Sequence, residues 1–347
     1  MHTLKGLEKL NSKFYTMQET VVDIEVKTSE AEEAVEEVQN ISSEIDEDLD
    51  TVEGANDEIE TLRLYQEHLK KYPLTKASYS LINLNNGLSK YSNQLVAVEA
   101  FNASVTNDVV IAGIEGILDT VIGKIQGVVK GIISKFKALL DKAKMMISNW
   151  KSGLEAAQRL IQNIPDTSSS NAGSRVVNGV DFKQCDQVIS SIETISAKIK
   201  SMGDMVYFEG KQLAVKSVLD IFDKKTLDTI GFDKSKYPSE TKIDAAKFSK
   251  QELSSMCSKL IKSCQSLEDF GNLLWNTINH VPELLNSITN RSLGDVLIKA
   301  IQEQFNTAAG RLQRNLRAML KLETAAVKSL STCNKSFIRI AKARANA

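Results

Sequence analysis

Only 4 prolines and 17 glycines punctuate the 347 residues of this chain, so little interrupts a helical pattern and long helices follow. Aromatic residues are equally scarce, at 6%, which suits an elongated helical body better than an enzyme built round a deep pocket. The four cysteines, Cys185, Cys257, Cys264 and Cys333, form no CxxC pair. Cys257 and Cys264 stand one heptad apart, where they read as small core residues or as one isolated bridge. His2, His68 and His280 lie far from one another and from the cysteines, which argues against a zinc site and leaves no metal or cofactor expected. This usage suits a reducing compartment. There is no GxxxxGK[ST], no GxGxxG after a strand, no HExxH and no GxSxG. Carboxylates abound, but on helix faces open to water, where burial does not tune a general acid. The expectation is a non-enzyme. The opening Met1-His2-Thr3-Leu4-Lys5 leads into a polar helix rather than an apolar signal region, and predicts a chain made and first used inside a cell.

What the chain does have is charge, unevenly spread. Residues 1–99 carry 9 Lys and Arg against 20 Asp and Glu, a net of −11. Residues 100–347 carry 34 against 24, a net of +10, and the overall −1 conceals the division. Such a split points to an acidic segment that works beside a polyanion-binding one or neutralises it. A solvated acidic helix without that role is the plainer reading.

From Leu7 onward apolar residues recur with 3-4 spacing. One row is Leu7, Phe14, Val21, Thr28, Val35, Ser42, Leu49 and Asn56; the other is Leu10, Met17, Ile24, Ala31, Val38, Ile45, Val52 and Ile59. Thirteen of these sixteen are apolar, which predicts a coiled-coil-like heptad helix with Ser42 and Asn56 fixing register. Its other faces are crowded with acid, from Glu30 to Glu37 and from Glu44 to Glu60. Like charges one turn apart repel, so this helix needs a partner surface, and a basic one serves best. Lys70-Lys71-Tyr72-Pro73 stops it, and a second helix follows over about 76–99.

Residues 105–150 are the most apolar stretch, with Glu115, Asp119, Lys124, Lys130, Lys135 and Lys137 spaced among Val, Ile and Leu. No uncharged run approaches the 18 or so residues of a spanning helix, so the segment is amphipathic. Gly123, Gly127 and Gly131 form a stripe of small residues, predicted as a helix contact. Each costs about 1 kcal/mol relative to Ala in a helix. Core packing and membrane insertion of residues 105–140 are the two readings.

Further helices are predicted over about 182–222, 248–279 and 293–343, with irregular chain over 223–246 and no convincing strand. The fold class is therefore all-α, an elongated bundle of long amphipathic helices. It divides into an acidic arm (1–99), a Gly- and Lys-containing segment (100–165), a linker (166–181) and a basic bundle (182–347).

The C-terminal helix carries the clearest candidate site. From Arg311 onward stand nine basic residues and one acid, Glu323. Arg314, Lys321, Lys328, Lys335 and Lys342 lie seven apart, with Arg317 and Arg339 beside them, and form a basic ridge along one face. A ridge of this kind binds phosphates without sequence specificity and with steep salt dependence. No aromatic residues interleave it, so base stacking is not expected. The competing occupants of the ridge are water and the acidic N-terminal helix.

At the boundary between the charged halves the chain reads Ala97-Val98-Glu99-Ala100, a small-x-Glu junction, followed by an amphipathic helix with spaced lysines from Ile114 to Lys144. This plan resembles the internal virion proteins of giant tailed bacteriophages, whose acidic propeptide a prohead protease removes. The resemblance implies a structural inner capsid protein, located in the head interior of the virion and made in the host cytoplasm. It implies cleavage after Glu99, other capsid or scaffold proteins as partners, self-association, and non-specific contact with DNA after processing and packaging. A second reading is similarity to helical pore-forming toxins of the hemolysin E and tripartite enterotoxin families, with residues 105–140 entering a membrane. A third is an intracellular coiled-coil adaptor.

Overall fold

The computed structural model describes residues 2–88, 106–164, 175–208, 238–279 and 295–345, and over these the chain is all-α. Six α-helices stand among the described residues: α1 (His2–Lys71), α2 (Lys76–Leu88), α3 (Asn107–Gln162), α4 (Phe182–Phe208), α5 (Lys250–Ile278) and α6 (Asp295–Ala345). Each begins within a few residues of a helix predicted from apolar spacing; α3 runs on to Gln162, past the predicted 150, and the predicted ends at 99 and 222 lie outside the described residues. The difference lies between α3 and α5. Two four-residue strands, β1 (Val176–Gly179) and β2 (Thr241–Asp244), pair antiparallel with Val176 opposite Asp244. They occupy the ends of stretches predicted as linker and irregular chain. Four residues are too few to show alternation, so the pairing partner alone defines such strands.

Helix ends follow local chemistry. Pro73 lies beyond the end of α1, and Asn107, the first residue of α3, takes up the polar groups left open there. Its side-chain amide donates to the carbonyls of Leu69 and Tyr72, and its oxygen accepts from Leu74 N–H at 2.8 Å. Ser249 and Glu252 cap α5 reciprocally: Glu252 N–H donates to the Ser249 hydroxyl at 3.2 Å, and the Glu252 carboxylate accepts from Ser249 N–H at 2.8 Å. Those bonds hold the Glu252 carboxyl below its ordinary range, the backbone bond contributing most.

The chain forms two compact units. The first comprises residues 1–43, 136–277 and 318–347. Its core is built on Phe136, Trp150, Leu260, Phe270, Leu330 and Phe337, none more than 1% exposed. Gly179 of β1 is pressed against α6 so closely that a side-chain carbon there would stand 2.9 Å from Ser336 Oγ. That hydroxyl accepts from the Val180 N–H. The second unit comprises residues 44–135 and 278–317, with Ile59, Leu62, Ile114, Leu118, Val121 and Ile132 at its centre.

In both units α1 is integral to the core. Ile24, Ala31 and Val38 are buried in the first, and Ile45, Val52 and Ile59 in the second, so one predicted seam row is enclosed throughout its described length. The other row is half-buried except at Leu49, and from Val52 onward the enclosed set is joined by Ala55, Leu62 and Leu69. Burying one Ile or Leu stabilises by about 1.5–3 kcal/mol before entropy is counted. A seam of this length outweighs the exposed ion pairs described below.

Candidate functional site

The acids of α1 face outward along both flanks of its buried seam, and cations of α3 and α6 meet them. In the first unit Glu25 pairs with Lys342 at 3.0 Å, Glu32 with Lys335 at 2.5 Å, Glu37 with Lys142 at 2.5 Å and Asp23 with Arg159 at 3.7 Å. Residue numbers rise along α1 as they fall along α6, so these helices run antiparallel. The Thr324 hydroxyl, 3.2 Å from that of Ser42, continues the register. Lys328, one heptad before Lys335, then matches Gln39, which carries no charge. This explains why Lys328 is exposed with no ion pair among the described residues.

In the second unit Lys135 lies 2.9 Å from Asp48 and 3.5 Å from Glu44. Arg317 is held by three carboxylates, with Asp46 at 2.8 Å from Nε, Glu53 at 3.2 Å from Nη1, and Asp50 on Nη2. Partial burial works against the Arg317 charge, but the three carboxylates outweigh it and keep the guanidinium above its ordinary range. Lys135 is likewise raised, chiefly by its hydrogen bond to Asp48. A planar fork against several acids gives the geometric specificity a lysine lacks.

Arg317, Lys335 and Lys342 of the predicted ridge are thus occupied by α1. Arg339 turns aside to the β ribbon, donating to Glu240 at 2.7 Å and to the Asn178 carbonyl at 3.3 Å. Lys321 and Lys328 are exposed. The Arg314 side chain lies outside the described residues, as do Ala97, Val98, Glu99 and Ala100. Gly123, Gly127 and Gly131 are exposed, and a methyl group at any of them would meet nothing within 4 Å. The described residues therefore place no helix against that stripe, which lies on the open face of α3 because its apolar rows occupy the other side. No helix among the described residues is long and apolar enough to cross a membrane.

The four cysteines are buried and free. Cys257 Sγ donates to the Leu154 carbonyl at 3.2 Å, Cys264 accepts from Asn334 Nδ2 at 3.6 Å, and burial pushes both thiols up to about 12, where they are inert as nucleophiles. Sequence reasoning missed the most unusual group. Glu323 of α6 is fully enclosed, neither carboxyl oxygen has a partner among the described residues, and desolvation raises it to about 8. Its standing as the one acid after Arg311 was the available signal. No family model, no curated protein and no solved structure matches this chain.

Proposed function

We propose that this chain is a non-enzymatic structural protein of a phage head interior, assembled with residues 1–99 as an acidic propeptide and associated with packaged DNA after processing. The observation that carries this reading is the pairing of α1 carboxylates with cations of α3 and α6 in each unit. An anionic helix that fills positions suited to phosphate keeps a basic trunk from engaging polyanions early. The buried seam adds a condition. Hydrolysis of one peptide bond after Glu99 does not by itself free α1, because its apolar row remains enclosed. Release follows when phosphate at high density takes over the cations and the severed helix no longer returns intramolecularly.

The test is the intact mass of the protein recovered from assembled particles. The expected mature species begins at Ala100, and Glu99→Gln blocks its formation. A particle-borne protein that still begins at Met1 or His2 would overturn the proposal.

A further inference from the structure

With Arg317, Lys335 and Lys342 of the α6 ridge taken by α1, another row of cations stands open among the described residues. Helix α3 carries two lysine rows of heptad spacing, Lys135 and Lys142 on one side, Lys137, Lys144 and Lys151 on the other. Two residues advance about 200° round a helix, so the rows point away from one another. The first is engaged by α1 carboxylates. The second, which lies wholly within the first unit, has no ion pair among the described residues. Its Lys137 Nζ stands 5.9 Å from the Trp275 ring centroid on α5, and Lys144 and Lys151 are half-exposed. Asp141 and Glu155 on the same helix come within ion-pairing distance of none of the three, and Glu268 and Asp269 of α5 accept from Gln265.

We propose that Lys137, Lys144 and Lys151 form a contact for the phosphate backbone of duplex nucleic acid that is open while α1 remains in place. Seven residues of helix span about 10.5 Å, so the three ammonium groups make a positive line about 21 Å long. Duplex DNA presents one phosphate charge per roughly 1.7 Å of axis over both strands, so phosphates bordering a groove come within reach of flexible side chains along that line. A bilayer surface would call for an exposed apolar row beside the cations, and Met145 is the one large exposed apolar residue on this part of α3. The proposal rests on the head-interior reading for its setting and adds a site that acts before processing.

The full chain is titrated into a fluorescein-labelled 24-base-pair duplex of mixed sequence between 50 and 300 mM NaCl, with anisotropy as the readout. The wild-type chain is compared with Lys137→Gln/Lys144→Gln/Lys151→Gln and with Lys321→Gln/Lys328→Gln. Each phosphate contact contributes about 0.9 to the slope of log K against log salt, so the α3 triple variant should flatten it by about 2.7. The melting temperature should fall by no more than a few degrees, because no ion pair is lost and only the exposed Lys137 contact with Trp275 is removed. Should the triple variant misfold, each single variant is expected to flatten the slope by about 0.9. Absence of binding by the wild-type chain at 50 mM NaCl would overturn the inference. So would an unchanged slope in the α3 variants, loss of slope confined to the α6 pair, or lysine-row-dependent binding to phosphatidylserine vesicles without binding to DNA. None of these outcomes bears on where the particle-borne protein begins, so the two proposals fail separately.

Discussion

Glu323 shows how far one residue can stand from the pattern around it. It is the one acid of α6 after Arg311, yet faces the first unit's core beside Gly271, where added carbon would stand 3.4 Å from Leu140 and 3.6 Å from the Glu323 carboxyl. Burying an ionised carboxylate without a partner is costly enough that the group stays protonated instead. The folded state thus holds a proton that the unfolded chain releases near 4.5, and the folded group gives it up only near 8. Between those values the folded form binds more protons than the unfolded form, so stability falls as pH rises and levels off above 8. The loss is on the order of a few kcal/mol. Glu323→Gln should remove this slope: thermal melts at pH 5, 6.5 and 8 should show the variant gaining on the wild-type chain as pH rises. Equal pH dependence in both would show that Glu323 is already hydrated or paired when folded.

Arg317 is the second instructive residue. It is partly shielded, while its partners Asp46, Asp50 and Glu53 are about half or more exposed, so water screens much of the attraction. Arg317→Ala is expected to cost about 1 kcal/mol. Arg317→Lys should recover only part of that, since an ammonium cannot serve three carboxylates in one plane. Urea unfolding with the midpoint as readout measures both.

At the scale of the element, α1 illustrates why an acidic helix needs a basic setting. Six cations of α3 and α6 hold nine α1 carboxylates among the described residues, which turns like-charge repulsion along the helix into attraction across it. The seam still dominates. Raising NaCl from 50 to 500 mM is therefore expected to lower the melting temperature by a few degrees without detaching α1, because salt screens the exposed pairs and leaves apolar burial intact. Loss of a whole transition, or limited proteolysis confined to residues 19–71 at high salt, would show that charge rather than burial holds the helix.

Helix α3 adds a contrast between glycines. At Gly123, Gly127 and Gly131 there is open space, so replacing all three with alanine should stabilise the second unit by up to about 3 kcal/mol through helix propensity. Destabilisation would mean that another helix packs against the stripe. At Gly179 the same change meets Ser336 and Ile340 and should destabilise by about 1–3 kcal/mol.

For the whole molecule, the division of charge at Glu99 becomes a matching of faces within each unit. The acidic excess of residues 1–99 is spent against cations contributed by α3 and α6. The proposed processing would alter this balance at one stroke, leaving a chain of net +10 wherever residues 1–99 are lost. Particles carrying Glu99→Gln should retain the full-length chain, which an immunoblot against residues 1–99 would detect. Loss of that segment despite the substitution would place the cut elsewhere.

Apolar spacing, few prolines and few glycines settled the all-α class and the course of the helices, because a helix declares itself through contacts three and four residues apart. The end of α1 at Lys71 and the starts of α4 and α5 were legible for the same reason. The need of α1 for a basic partner was legible too, since repulsion between neighbouring acids is local. Tertiary structure alone decided which cations answer it. Lys335 and Lys342 look like Lys328 in sequence, and their difference arises from Gln39 standing where an acid would be, 289 positions away in the chain. The β1–β2 pair, the enclosure of Glu323 and the open face of Gly123, Gly127 and Gly131 belong to the same class. Each depends on what distant segments bring alongside, a long-range matter that the spacing of neighbours along one helix does not encode.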